Sequence, residues 1–200
     1  MAILDWIYPK KCLGCGVFGS YLCQRCQREI KRRGEGLRYE GIVRQAIKEI
    51  KYRGTYDLVA ELVSIWNPQK PPGEVLVTAV PMWAGKRRKR GYNQAELIGR
   101  EVAQIWGVGY QELLVRNRDT KPMYGLKKGE RQKNVTGAFF INPKFEIINT
   151  EKILNYKLEI RNKTVVLIDD VRTSGATISE CVSVLRRAGW KKVICMALAS

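Results

Sequence analysis

Apolar positions along this chain switch between two periods, and the switches predict where helices give way to strands. Ile42, Val43, Ala46, Ile47 and Ile50 recur at helical spacing, so 42–50 reads as an amphipathic helix. Residues 57–66 read as a second helix, with Leu58, Leu62 and Ile65 on one face. The Pro- and Gly-bearing stretch 68–73 breaks the chain. Val75-Leu76-Val77-Thr78-Ala79-Val80 follows, a short β-branched run ending at Pro81, which is the pattern of a buried strand. Asn93 is placed to cap a helix reaching about residue 106, with Glu96 three residues on as in a capping box. A strand over 113–116, a strand over 164–168, a helix over 176–188 and a strand over 193–198 complete the periodic part. In the 176–188 helix, Ile178, Val182 and Leu185 form the inward stripe.

The aperiodic stretches read as connections. The basic, Gly-bearing run 31–36 reads as a linker, the five consecutive cations Lys86 to Arg90 as a loop, and 117–137 as a long polar loop. Residues 139–163 read as an edge hairpin or insertion. Strand and helix alternate through the second half, which predicts an α/β domain with a mostly parallel central sheet. No internal repeat or low-complexity tract interrupts it.

Composition narrows the chemistry. The chain has 200 residues, 45% apolar and 28% charged, the balance of a folded globular protein. No apolar run approaches the ~20 residues of a membrane span. Residues 1–9 lack the basic start of a signal peptide. Histidine is absent, which removes His-based triads, His metal ligands and His general bases. Lys and Arg number 36 against 19 acids, a net charge of +17 spread over the whole chain. A body this basic attracts polyanions, nucleic acid foremost; solubility or heat adaptation is the other reading.

Four of the six cysteines, Cys12, Cys15, Cys23 and Cys26, follow the spacing C-x2-C-x7-C-x2-C. Two such knuckles present four thiolates to one metal, and a closed four-thiolate shell suits a structural Zn2+. Gly14, Gly16 and Gly19 supply the turns, and Lys10, Lys11, Arg25 and Arg28 offset the anionic centre. Two disulfides, a redox pair or an iron–sulfur cluster remain open on spacing alone. Cys181 and Cys195 sit in apolar segments and read as small buried residues.

The most informative stretch is Val165-Val166-Leu167-Ile168-Asp169-Asp170-Val171-Arg172-Thr173-Ser174-Gly175-Ala176-Thr177. Two carboxylates leave the C-terminal end of a strand, where ligands of open α/β sheets bind. A hydroxyl- and glycine-rich loop then opens a helix, an arrangement whose backbone amides cradle phosphate. The stretch is neither a Walker loop nor a dinucleotide fingerprint. Carboxylates beside a phosphate cradle make sense if they hold the hydroxyls of a ribose, or a magnesium ion. The plain alternative is an ordinary strand-to-helix turn with a capping Asp.

This stretch resembles the phosphoribosyl pyrophosphate (PRPP) motif of type I phosphoribosyltransferases. Three further features make the chain similar to the ComF family of competence-associated proteins: the four-cysteine knuckle, Arg90-Gly91-Tyr92-Asn93-Gln94-Ala95, and Arg131-Gln132-Lys133-Asn134-Val135-Thr136-Gly137-Ala138-Phe139. The resemblance implies a type I phosphoribosyltransferase-like fold over 37–200 behind a four-cysteine zinc module and linker over 1–36. It implies that Asp169 and Asp170 hold ribose hydroxyls and that Val171, Arg172, Thr173, Ser174, Gly175, Ala176 and Thr177 form the 5-phosphate loop. It places Pro81 and Met82 at the pyrophosphate loop, with Mg2+ arriving with PRPP.

The chain departs from the family pattern in places. Met82-Trp83 stands where members often carry a His, and Thr173 stands where purine-salvage relatives of the wider group carry a general-base Asp. That leaves turnover open and argues against purine salvage. Residue 2 is Ala and no glutaminase domain is present, unlike the glutamine-using members. The resemblance further implies a cytoplasmic protein acting on single-stranded DNA during DNA uptake and natural transformation, beside a DNA-uptake helicase or other competence proteins. Lys86, Arg87, Arg88, Lys89, Arg90, Lys127, Lys128 and Arg131 are the cations expected to meet DNA, with Tyr92 among the rings that would stack on bases. An active phosphoribosyltransferase acting on a small nitrogen nucleophile, and a purely structural protein with a relic pocket, are the competing functions.

Overall fold

The computed structural model of the chain describes residues 9–120, 127–146, 162–172 and 175–200. Its elements in chain order are α1 (Gln24–Gln27), β1 (Arg32–Arg33), β2 (Gly36–Leu37), α2 (Gly41–Arg53), α3 (Asp57–Trp66), β3 (Val75–Ala79), α4 (Ala84–Arg90) and α5 (Gln94–Trp106). There follow β4 (Gly109–Tyr110), β5 (Leu114–Arg116), α6 (Lys128–Val135), β6 (Phe139–Ile141), α7 (Pro143–Glu146), β7 (Thr164–Val171), α8 (Ala176–Arg187) and β8 (Val193–Ala199).

Six strands form one sheet in the order β1-β2-β8-β7-β3-β4, every neighbouring pair parallel except β1–β2. β7 lies inside it, Ala79 opposite Ile168 on one side and Asp169 opposite Ala197 on the other. Its apolar run is explained by two covered faces. Val166 and Ile168 join the core under α2, α3 and α5, while Val165 and Leu167 join the core under α8. This is a type I phosphoribosyltransferase-like α/β fold with a four-cysteine cluster at its N-terminal side. No helix among the described residues is long and apolar enough to cross a membrane.

Several expectations from the sequence need correction. The run 31–36 is no free linker: β1 and β2 make a hairpin whose Leu37 pairs with Ala199, adding an edge to the main sheet. Lys86 to Arg90 are helical, as the last five residues of α4. Lys and Arg are good helix formers, and cations in a last turn complement the helix dipole. Within 117–137, α6 occupies Lys128–Val135, and β6 pairs antiparallel with β5, separate from the main sheet. Asn93 caps α5 as expected, its side chain accepting from the Ala95 N–H at 3.2 Å. Glu96 instead binds Arg87 and Arg100, each at 2.9 Å.

Candidate functional site

The C-terminal end of β7 and the loop after β3 form one edge of the sheet. The Val80 N–H donates to the Ile168 carbonyl at 2.8 Å, so the strand register carries Pro81 and Met82 alongside Asp169 and Asp170. Both acids are half-buried. Each is fixed by the next residue: the Asp170 N–H donates to Asp169 Oδ1 at 2.9 Å and the Val171 N–H to Asp170 Oδ1 at 2.7 Å. Burial pushes the Asp169 carboxyl well above the usual carboxylate range, the Asp170 charge adds to that, and Lys51 partly offsets it.

Beyond the acids the Arg172 N–H still donates to the Ala199 carbonyl at 2.9 Å. Gly175 then turns the chain into α8 with φ 75°, a left-handed conformation that side chains rarely adopt. Asp169, Val171, Arg172, Gly175, Ala176 and Thr177 surround a cavity of about 30 Å³, room for one water. Thr173 and Ser174 lie outside the described residues.

A second cavity of about 150 Å³ opens on the β3 side, lined by Pro81, Met82, Arg87 and Arg116 among others. Arg116 was not singled out by the sequence as a site residue. Its half-buried guanidinium stacks over Phe139 at 5.4 Å and donates to Thr120, while its buried Nε has no partner among the described residues. Burial lowers the Arg116 pKa, and the Asp119 carboxylate pulls it back up. A positive group beside the Pro81–Met82 turn is the chemistry that a polyphosphate would use.

The segment 90–95 proves largely architectural. Gly91 ends α4 in the left-handed region, Tyr92 is buried and donates its hydroxyl to the Ile50 carbonyl, and the Asn93 side chain also donates to the Val80 carbonyl at 3.0 Å. Tyr92 therefore offers no ring to a base, contrary to expectation. Among the expected DNA contacts, Lys86 pairs with Asp119 at 2.9 Å and Arg87 bridges Glu96 and Glu112. The Lys86 ammonium holds the Asp119 carboxyl below its ordinary value. Arg88 and Lys89 are exposed. Lys127, Lys128 and Arg131 sit at the start of α6, the Lys127 N–H donating to Glu130 at 2.7 Å.

A basic cleft of about 500 Å³ opens instead between the C-terminal end of α2 and α4. It gathers Lys51, Tyr52, Arg53 and Tyr56 with Lys89 and Arg90, and none of the first four was picked out by the sequence. Lys51 and Arg53 lie in the last turn of α2. Only the fold brings that end against α4.

The sulfurs of Cys12, Cys15, Cys23 and Cys26 lie within 4.8 Å of one another. Tetrahedral zinc with ~2.3 Å bonds needs sulfurs ~3.8 Å apart, so the donor set fits a thiophilic metal ion. The Cys15 and Cys23 sulfurs are 3.5 Å apart, well beyond a disulfide bond. Gly14 lets the knuckle close, since a side chain there would start 2.8 Å from the Cys26 sulfur. Burial raises the Cys12 thiol, but backbone N–H donors at Cys15, Cys23 and Gly14 outweigh it and bring Cys12 down to about 6. Burial and the neighbouring thiols push Cys26 up to about 12. Of the other cysteines, Cys181 is fully buried and Cys195 partly so, with no metal-ligand cluster around them among the described residues.

Comparison with known proteins extends the picture. Competence protein F of Haemophilus influenzae is 27% identical over 124 residues, 62% of this chain and 49% of that one. The DNA utilization protein YhgH of Salmonella typhimurium is 26% identical over 114 residues, 56% of this chain and 44% of that one, and its Escherichia coli K12 counterpart is 25% identical over the same length. These relatives bear out the resemblance to the ComF family, and the chain spans about half the length of the curated relatives it matches. Among solved structures, a glutamine phosphoribosylpyrophosphate amidotransferase from B. subtilis superposes with TM-score 0.40 and 16% identity, over 70% of this chain and 25% of that one. The model of the phosphoribosyl transferase domain matches residues 93–200, which take in the 90–95 segment's end, β7 and its acid pair, and on that match the chain belongs to the phosphoribosyl transferase domain family.

Proposed function

We propose that this protein handles single-stranded DNA in the manner of the competence proteins it resembles, and that it does so while holding a ribose 5-phosphate such as Mg-PRPP at the end of β7. The observation that carries this reading is the acid pair at the sheet's C-terminal edge, with the Gly175 turn and the α8 N-terminus directly beyond it. Asp169 and Asp170 accept hydrogen bonds from the ribose hydroxyls, and Val171 to Thr177 receive the 5-phosphate.

The reading divides the chain into a metal module through residue 36 and a transferase-like domain from residue 37, stitched together by the β1–β2 hairpin. Zn2+ is the metal that best suits four thiolates, and its role is to hold the knuckle folded. The protein works in the cytoplasm, alongside a DNA-uptake helicase or other competence proteins.

Turnover of PRPP is the second reading, and Arg116 is the observation that favours it. A half-buried guanidinium in the cavity of Pro81 and Met82 is placed to stabilise the charge of departing pyrophosphate. The acceptor would be a small nitrogen nucleophile.

Calorimetric titration of Mg-PRPP tests the ribose-phosphate reading. Saturable binding to the wild type, lost in Asp169→Asn/Asp170→Asn with the circular dichroism unchanged, is expected. A double variant that binds as tightly as the wild type would overturn it. Pyrophosphate release with candidate amines then separates a binder from an enzyme.

A further inference from the structure

We infer that the cleft between α2 and α4 is a single-stranded nucleic-acid site in which Tyr52 and Tyr56 stack on bases while Lys51, Lys89 and Arg90 hold phosphates. This rests on the DNA-handling reading and assigns it to a surface.

The two rings are exposed in a protein that buries most of its large apolar side chains. Tyr52 is 71% exposed and Tyr56 50%, whereas Tyr92 at the floor of the cleft is 9% exposed. An exposed ring normally lacks a reason; these two share one concavity with five cations. Of those cations, Lys86 is paired with Asp119 and Arg53 with Glu49, and no ion pair involves Lys51, Lys89 or Arg90 among the described residues.

Cation and ring are also interleaved. The Arg90 guanidinium sits 5.9 Å from the Tyr52 ring centre and the Lys51 ammonium 6.0 Å from it. That places a phosphate-binding group beside a base-binding face, as each nucleotide of a single strand requires. Tyr56 is held edge-on against Tyr92 with centroids 4.8 Å apart, so its orientation is fixed before any ligand arrives. An acidic peptide would satisfy the cations and leave the rings unused. A duplex keeps its bases stacked on each other and out of reach. Unpaired strands match both halves of the cleft.

The test is fluorescence anisotropy of a labelled oligothymidylate of about 20 nucleotides over a salt series, beside a duplex of the same length. Tyr52→Ala is expected to weaken single-strand binding roughly tenfold with the salt slope unchanged, and Tyr52→Phe to restore it, because stacking needs the ring and not the hydroxyl. Lys51→Ala/Lys89→Ala/Arg90→Ala is expected to flatten the slope by about two, at roughly 0.7 for each phosphate no longer neutralised. Tyr52 is largely solvent-exposed, so its truncation leaves the fold standing. Wild-type protein that fails to bind at low salt would end the DNA reading itself. Binding that is intact in both Tyr52→Ala and the triple variant would leave that reading alive and overturn this site. Equal losses of duplex and single strand on Tyr52→Ala would overturn the stacking.

Discussion

Asp169 carries a cost that the folded protein tolerates. Its folded pKa is raised by burial first and by Asp170 second, so the fold favours the protonated form. The sign follows from linkage. The stability this group contributes is full below its unfolded pKa, near 3.8, and is lost as pH rises through the higher folded value. Thermal melts from about pH 4 to about pH 8 should therefore show Asp169→Asn more stable than wild type at the neutral end, and the two converging in acid. A variant less stable than wild type at neutral pH would mean that the ionised carboxylate is held by something stronger than its Asp170 N–H. A half-buried carboxylate that lowers stability at neutral pH would be the mark of a group kept for a ligand. Residues of this kind were legible in the sequence, because a plain strand-to-helix turn has no use for two acids directly after Val165-Val166-Leu167-Ile168. Arg116, Lys51 and Tyr52 were not. Each acquires its meaning from partners far along the chain, which one-dimensional spacing does not show.

Elements were readable wherever apolar period and capping chemistry agreed. α3 matches its predicted span, and α5 begins at its cap. Asn93 shows why one residue fixed that boundary: it accepts from the Ala95 N–H and donates to the Val80 carbonyl, joining α5 to the turn after β3. Asn93→Ala removes a cap worth about 1 kcal/mol and a buried hydrogen bond of about the same size. Urea denaturation should show a loss of about 2 kcal/mol with an unchanged m-value. A loss under about 0.5 kcal/mol would mean that water replaces both bonds. Elements went unread where the pattern carries no period. α4 has five cations in a row and no apolar stripe, and α6 is almost wholly polar. Two-residue strands such as β1 and β2 are too short for alternation to register, so their pairing with β8 emerges only in the fold.

At the scale of the whole molecule, the cysteine knuckle is bolted to the sheet's helical face. Leu22 is fully buried among Leu37, Ile47, Leu58 and Leu62, and the Tyr21 and Leu22 N–H groups donate to the Glu61 carboxylate of α3 at 3.2 and 2.9 Å. The cysteine cluster is thus positioned to stabilise more than its own loop. Four thiolates within 4.8 Å of one another repel by charge unless a cation sits between them, and binding that cation favours their ionised form. Stoichiometric Zn2+ is therefore expected on purified protein, measured by metal analysis and by release with a thiol-modifying reagent. Cys15→Ser, at the exposed ligand, is expected to lose the metal and lower the melting temperature by about 10 °C or more, because metal binding is folding energy. Glu61→Ala separates the knuckle's own stability from its docking: it should keep the metal and still lower the melting temperature, by the loss of two charge-assisted hydrogen bonds. Metal-free wild-type protein with an undiminished melting temperature would show instead that packing around Leu22 holds the knuckle without an ion. Since α2 shares one core with Leu22 and carries Lys51 and Tyr52, removing the metal should also weaken single-strand binding, whereas Glu61→Ala at a temperature well below its melting point should weaken it less.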